Sequence, residues 1–296
     1  MDWREKFENL RKKHARVVKE KQRPLPTPVT IFQPEPINQA DLRMKNFKEM
    51  LPKLSRNKGI IPNFITQTKI FTPTQKGRRK FFKEWQSIQS YNTSIEILQR
   101  GEQLNQLDLT GWLMLIKFTN HKDMIAAFTR YEFLKAMRKS DSSRDYKWLR
   151  SFLNRISFTQ FSIKMYENNR WIKYTGSLAS EDLESDDGKH IVKLSKPLAA
   201  LLGFDNWSLI NLEQRLALKQ REWAQAFHAY LSTNTCTKNG LWWKKEILWK
   251  TWGSEYQDQK NFLKLFKRRV IKPLYEIGFL TKIDEKKSAI GLWWKK

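Results

Sequence analysis

Six polar residues on one prospective helix face carry the most specific chemistry in this chain: Gln257, Lys260, Asn261, Lys264, Lys267 and Arg268. With Phe266 at the origin of a helical wheel, Phe262, Leu263 and Val270 fall within about 60° of it, and the six fall on the opposite half. Ammonium and guanidinium groups bind phosphate oxygens, and side-chain amides pair with base edges, so this face suits a DNA major groove. The N-terminal part of such a helix usually reaches the bases. That favours Gln257, Lys260, Asn261 and Lys264 as readers, with Lys267 and Arg268 following on bases or phosphates. Arg269, toward the flank, suits a phosphate or a buried carboxylate.

A second prospective helix repeats the pattern with fewer charges. With Leu149 at the origin, Phe152, Leu153 and Ile156 cluster, while Arg144, Lys147, Ser151, Asn154 and Arg155 face away and Ser143 stands at the first turn. Its outward Phe158 hints at a protein contact instead. The plainer alternative for both helices is an ordinary solvated face, and it weighs more on this one.

Catalytic constellations fail to assemble. His14, His121, His190 and His228 are far apart and form no paired metal-ligand motif. No GxxxxGK loop is present, which argues against ATP hydrolysis. Strand-nicking enzymes of the rolling-circle kind need a His-hydrophobic-His pair near a nucleophilic Tyr, and that pair is missing. Five acids between Glu181 and Asp187 could suit magnesium or calcium. EF-hand spacing is absent, however, and Asp187-Gly188 marks a solvated turn. His228, on the apolar flank of its helix, reads as packed. The expectation is a protein with no catalytic residues, no metal and no cofactor.

Charge points to the partner. A net charge of +26 calls for a polyanion, with nucleic acid ahead of an anionic membrane surface. Residues 257–296 alone hold eleven Lys/Arg against four Asp/Glu. If six phosphates were neutralised, log affinity would fall with log salt at a slope of about −5. Hydrophobic residues at 40%, with 13 Trp and 18 Phe, suffice for real cores. No apolar stretch reaches the ~18 residues of a membrane span, and the N-terminus does not read as a signal peptide. A lone Cys236 rules out an intramolecular disulfide or a Cys-based zinc site. These points favour a soluble, cytosolic protein.

The elements that must position the two faces appear as a repeat. Leu134, Trp148, Leu149, Phe152, Ile156 and Ile163 recur 114 positions later as Leu248, Phe262, Leu263, Phe266, Val270 and Ile277. In the first copy Thr129 caps a short helix, Ser140 to Ser143 make a polar turn, and the long helix runs to Phe158. Phe161–Tyr166 and Trp171–Tyr174 then alternate around Asn168-Asn169 as a hairpin, the wing of the first unit, offering Arg170 and Lys173 to DNA. In the second copy the short helix spans Lys244–Trp252 and the long one Tyr256–Ile277, ended or kinked at Pro273. Phe279–Ile283 and Ile290–Trp294 form its wing, with Lys282, Lys286 and Lys287 to grip the backbone.

Around these lie a hairpin expected at Ser94–Leu104 about Gly101, a helix N-capped by Asp108, and one long helix over Leu212–Leu231. Ser195-Lys-Pro-Leu198 suggests a further capped helix. Residues 1–23 form a basic heptad seam too short for an independent coiled coil, followed by prolines 24, 26, 28, 34 and 36 as an extended spacer. The reading is an α+β chain of two tandem winged-helix domains behind a basic, proline-linked arm. Its parts are the arm at 1–59, domain one at 60–193 (backbone contacts or dimerisation) and domain two at 194–296 (recognition).

The chain resembles TrfA-type plasmid replication initiators over about residues 60–296. The likeness lies in Tyr174-Thr-Gly-Ser-Leu178, Val192-Lys-Leu-Ser-Lys-Pro-Leu-Ala-Ala-Leu-Leu-Gly203, Leu212-Glu-Gln-Arg-Leu-Ala-Leu218 and Gly253-Ser-Glu255. Ile61-Pro-Asn63 with Ile70-Phe71, and Leu109-Thr-Gly-Trp-Leu113, are similar to first-domain markers. The resemblance implies a cytoplasmic, plasmid-associated bacterial protein that binds double-stranded iteron repeats at an origin. It further implies opening of an AT-rich segment, recruitment of the host replicative helicase and host initiator proteins, and exchange between monomer and dimer. Gln106-Leu-Asp-Leu109 is similar to sliding-clamp-binding peptides, although it overlaps a helix start. The rivals are a winged-helix transcriptional repressor and a strand-nicking or recombining enzyme using Tyr256 or Tyr275.

Overall fold

The computed structural model of the chain describes residues 57–73, 79–92, 94–120, 124–167, 170–185, 188–195, 207–253 and 256–295. The N-terminal seam, the proline-rich spacer and the helix expected after Ser195 lie outside them.

Strand β1 (Lys58–Pro62) leads into the single turn α1 (Asn63–Thr66) and short β2 (Phe71–Thr72). Then come β3 (Phe81–Ile88), β4 (Ile95–Glu102) and β5 (Leu104–Asn105). The hairpin expected about Gly101 does not form. The alternation belongs to one strand, β4, held between two neighbours, and its inward Ile95, Ile97 and Gln99 are buried.

Caps explain where the next helices begin. The Asn105 side chain accepts from the N–H groups of Leu107 and Asp108, and Asp108 accepts from the N–H of Asn105 at 3.0 Å. This reciprocal box starts α2 (Gln106–Phe118), so Asn105 is the cap and Asp108 the third helical residue. After β6 (Thr119–Asn120) and β7 (Ile125–Thr129), Thr129 and Glu132 build the same box before α3 (Arg130–Ala136). Ser142 caps α4 (Ser143–Phe158). Each cap stabilises its helix by roughly 1 kcal/mol.

Strands β8 (Gln160–Glu167), β9 (Arg170–Ser177), β10 (Ala179–Glu184), β11 (Lys189–Leu194) and β12 (Trp207–Asn211) follow. The helix expected over Leu212–Leu231 is two: α5 (Leu212–Ala217) and α6 (Glu222–Ser232). Lys219 adopts a left-handed φ of 50° between them, and Gln225 Nε2 donates to the freed Lys219 carbonyl at 2.7 Å. Apolar spacing continues across the break, so periodicity alone could not reveal it.

Next come β13 (Leu241–Lys244), α7 (Lys245–Trp252) and α8 (Gln259–Phe266), capped by Asp258. The helix does not stop at Pro273. A π turn, Lys267–Ile271, joins α8 to α9 (Lys272–Glu276), and the Lys272 N–H bonds to the Lys267 carbonyl. Proline removes one N–H donor and crowds the carbonyl four residues back. A widened turn directly before it carries the helix on. The hairpin β14 (Leu280–Glu285) and β15 (Ala289–Trp294) closes the chain.

Strand pairing corrects the expected first wing. β8–β9 joins β3–β4 in one antiparallel sheet, ordered β3-β4-β8-β9. The acid-rich hairpin β10–β11 instead returns to β7, giving β10-β11-β7-β6. In the second half β14–β15 returns to β13 in the same manner, giving β13-β15-β14. The chain therefore runs twice through helix, strand, helix, long helix and hairpin, with β8–β9 inserted into the first pass. The 114-residue displacement holds across the two helices and lapses beyond them, since Ile163 sits on β8 while Ile277 follows α9.

Two apolar clusters result. One gathers Trp112, Phe133, Phe152 and Phe161, the other Phe227, Phe262, Phe266 and Phe279. Truncating such a ring to Ala costs about 3–5 kcal/mol. Between them Arg215 is wholly buried, donating to Thr110 Oγ1 at 2.9 Å, to Gln106 O and Oε1 at 2.8 Å, and to Gln225 O at 2.9 Å. Four satisfied contacts offset the desolvation of that charge.

Candidate nucleic-acid interface

The inward stripe of α8 fixes what its other side shows. Phe262 and Phe266 are buried, so Lys260, Asn261 and Lys264, with Lys267 and Arg268 on the π turn, are exposed together. Gln257 is exposed too but stands before the cap, because the helix begins at Gln259 and not at Tyr256. Asp258 accepts from the N–H groups of Lys260 and Asn261 at 2.9 and 3.1 Å, which anchors the first turn.

A groove runs between this helix and the β14–β15 hairpin. Lys245, Lys260, Lys264, Lys267, Arg268, Lys272 and Lys287 line it with a single carboxylate, Glu285. Seven cations against one anion leave the groove strongly positive. Glu285 spans it, with Lys245 Nζ at 2.7 Å and Lys267 Nζ at 2.6 Å. Those two hydrogen bonds, Lys245 first, hold its carboxyl below the ordinary glutamate range. Among the described residues Lys260, Lys264 and Arg268 make no ion pair. Lys245 and Lys272 were not legible as groove residues from the helical wheel: one belongs to the preceding short helix, the other lies beyond the π turn.

The hairpin lysines divide between two faces. Lys287 lines the groove. Lys282 Nζ lies 4.7 Å from the Trp293 ring centre and Lys286 Nζ 4.5 Å from that of Trp242.

In the first half, Ser143, Arg144, Lys147, Ser151 and Asn154 are exposed along α4, and Phe158 is 78% exposed at its end. Arg155 departs from expectation. Only 8% exposed, it donates to Asp108 Oδ1 from Nη2 at 2.8 Å, so it braces α4 against α2 and is not a DNA contact. Arg170 begins β9, and Lys173 is exposed further along it, opposite Lys164. Both therefore lie on the inserted sheet and not on the hairpin that pairs with β7.

The pocket beside α4 gathers Arg130, Lys147, Arg150 and Glu184. Glu184 pairs with Arg130 and lies 3.7 Å from Arg150. Arg150, 78% exposed, sits at the position matching Lys264 in the repeat and escaped the sequence reading. The first hairpin thus sets Glu184 beside the cations of Arg130 and Arg150, as the second sets Glu285 beside Lys245 and Lys267.

The clamp-like segment is packed inside a helix and not displayed as a peptide ligand. Gln106, Asp108 and Leu109 are all buried within α2, at 3%, 0% and 1% exposure. His228 is fully buried, with neither ring nitrogen hydrogen-bonded, and burial pushes it down to about 3. Among the described residues no three His, Cys, Asp or Glu side chains gather as a metal site, and no helix is long and apolar enough to cross a membrane.

No protein-family profile matches the chain, and no curated protein matches it in sequence. Its fold is similar to solved structures of RctB. A selenomethionine form of domains 2 and 3 of that protein is 14% identical, with a TM-score of 0.50, covering 75% of this chain and 94% of the other. A second structure of RctB domains 2–3 is 13% identical, with a TM-score of 0.50, covering 78% and 96%. At this identity the likeness concerns the fold, a mixed α/β arrangement of several open sheets.

Proposed function

We propose that the chain is a replication initiator that binds double-stranded origin DNA through two tandem winged-helix domains, residues 60–193 and 194–296. The carrying observation is the groove between α8 and the β14–β15 hairpin, where seven cations face one carboxylate. Supporting it are the twofold run of helix, strand, helix, long helix and returning hairpin, and the fold shared with RctB domains 2 and 3. In this reading α8 enters the major groove. Gln257, Lys260, Asn261 and Lys264 reach base edges, while Lys267, Arg268 and Lys272 engage bases or phosphates, with Lys287 on the flanking backbone. Domain one makes the weaker contact through α4, because its own hairpin is acidic.

The resemblance to TrfA-type initiators extends the proposal to iteron repeats, opening of an AT-rich segment, recruitment of the host helicase and monomer–dimer exchange. The protein acts by binding and not as an enzyme, and no metal or cofactor enters the reading.

A footprint over the DNA flanking its coding region tests the assignment. Protection of short direct repeats, with permanganate-reactive thymines in an adjacent AT-rich stretch, is the expected outcome. Protection of a palindrome with no unpaired thymines would instead identify a repressor, and a covalent protein–DNA adduct would identify an enzyme.

A further inference from the structure

A hexapeptide occurs twice in the C-terminal half, as Gly240-Leu-Trp-Trp-Lys-Lys245 and as Gly291-Leu-Trp-Trp-Lys-Lys296. The copies lie on adjacent antiparallel strands, β13 and β15, with Leu241 opposite Leu292. That register is a local two-fold: it sets the glycine of each copy against the first tryptophan of the other. A Cβ at Gly291 would lie 2.7 Å from Trp242 Cε2, and one at Gly240 would lie 2.5 Å from Trp293 Cε2. Each indole therefore rests on backbone where no side chain stands. Their ring N–H groups donate to Asn239 O and Lys238 O, both at 3.1 Å, which fixes the rings in place. The two ring centres are 5.9 Å apart at 83°.

Strand alternation places these rings opposite the inward Ile290, Leu292 and Trp294, which belong to the cluster holding Phe262 and Phe266. They thus occupy the sheet face turned away from the α8 groove. Lys282 and Lys286 stand over them, and neither makes an ion pair among the described residues. Asp284, opposite Gly291 in register, accepts from the Glu285 N–H.

We propose that this face binds single-stranded nucleic acid, with unpaired bases stacking on Trp242 and Trp293 while Lys282 and Lys286 move from the rings to the strand's phosphates. Paired, stacked bases expose no ring face, so a duplex cannot use such a platform. Stacking tolerates any base, and an exposed lysine–ring contact is weak enough to exchange for it. Because the rings and the α8 groove lie on different faces, the site stands whether or not α8 reads a duplex.

The test uses the full-length chain and a labelled oligothymidylate of roughly a dozen nucleotides, followed by anisotropy and by quenching of tryptophan fluorescence. The expected result is saturable binding with quenching. Trp242→Ala or Trp293→Ala should weaken it about 5- to 150-fold, Trp242→Phe should retain most of it, and Lys264→Ala should leave it unchanged. Should the alanine variants unfold, Lys282→Gln with Lys286→Gln replaces them and should weaken strand binding severalfold more than Lys264→Ala does. Absence of binding by the unaltered chain overturns the proposal. So does a loss that follows Lys264→Ala and spares the ring or lysine variants. Loss of duplex binding alone bears only on the α8 reading.

Discussion

Arg155 and Asp108 are paired in the interior, Nη2 to Oδ1 at 2.8 Å, with the Asp108 side chain fully buried. Arg79 reaches the other carboxylate oxygen, so one aspartate ties two arginines to the start of α2. Removing Arg155 leaves Asp108 Oδ1 without a donor where water cannot reach it, while Arg79 still holds the other oxygen. Arg155→Ala should therefore lower unfolding free energy by about 1–3 kcal/mol, read from urea denaturation. A variant as stable as the parent but deficient in DNA binding would return Arg155 to the interface.

Lys264 and Arg268 stand free on the outer side of α8 and its π turn. Replacing either with Ala should weaken binding to the cognate duplex by about 1–3 kcal/mol if it contacts a base edge. A phosphate contact would instead reduce the salt slope by about one and act alike on all sequences. Unchanged affinity and slope in both variants would remove α8 from the interface.

Glu285 holds Lys245 and Lys267 across the groove. Glu285→Gln deletes the carboxylate and frees both cations, so duplex affinity should rise several-fold and the salt slope steepen by roughly one to two. Its lowered pKa keeps it ionised at neutral pH, and the difference should be flat from pH 6 to 8. Weaker binding by the variant would mean that anchoring the hairpin outweighs the freed charge.

His228 gives folding a pH dependence of its own. The unfolded imidazole takes a proton near 6.5, whereas burial, with Arg215 and Lys58 nearby, delays protonation of the folded form to about 3. The unfolded chain thus binds more protons between those values, and stability falls as pH drops below about 6.5. From pH 7 to pH 5 the loss should be about 2 kcal/mol, and His228→Leu should abolish that portion of it. Equal pH profiles for parent and variant would show that the ring is hydrated in the native state.

The boundaries of α3, α4 and the β14–β15 hairpin were legible because caps and apolar spacing act within a few residues: Thr129, Ser142 and the Phe262–Phe266 stripe. What stayed hidden depended on distant partners. Arg155 lies on the polar half of its own wheel, and only Asp108, on another helix, draws it inward. The β8–β9 hairpin alternates as a wing would, yet β4 claims it as a partner and leaves β7 to the acidic hairpin. The break at Lys219 is a backbone event that leaves apolar periodicity intact.

The wide turn at Lys267–Ile271 has a consequence for how such a surface can diverge. Holding about one residue more than an ordinary turn, it keeps Lys272 on the same side as Lys264, so the cationic strip outlasts the face that ideal winding would allow. Winding the same residues as an ordinary helix would swing Lys272 and the following hairpin around the axis by roughly 100° while leaving every side chain chemically intact. Whether this short stretch winds wide or tight, more than which residues it holds, sets how far the cationic strip runs along the helix.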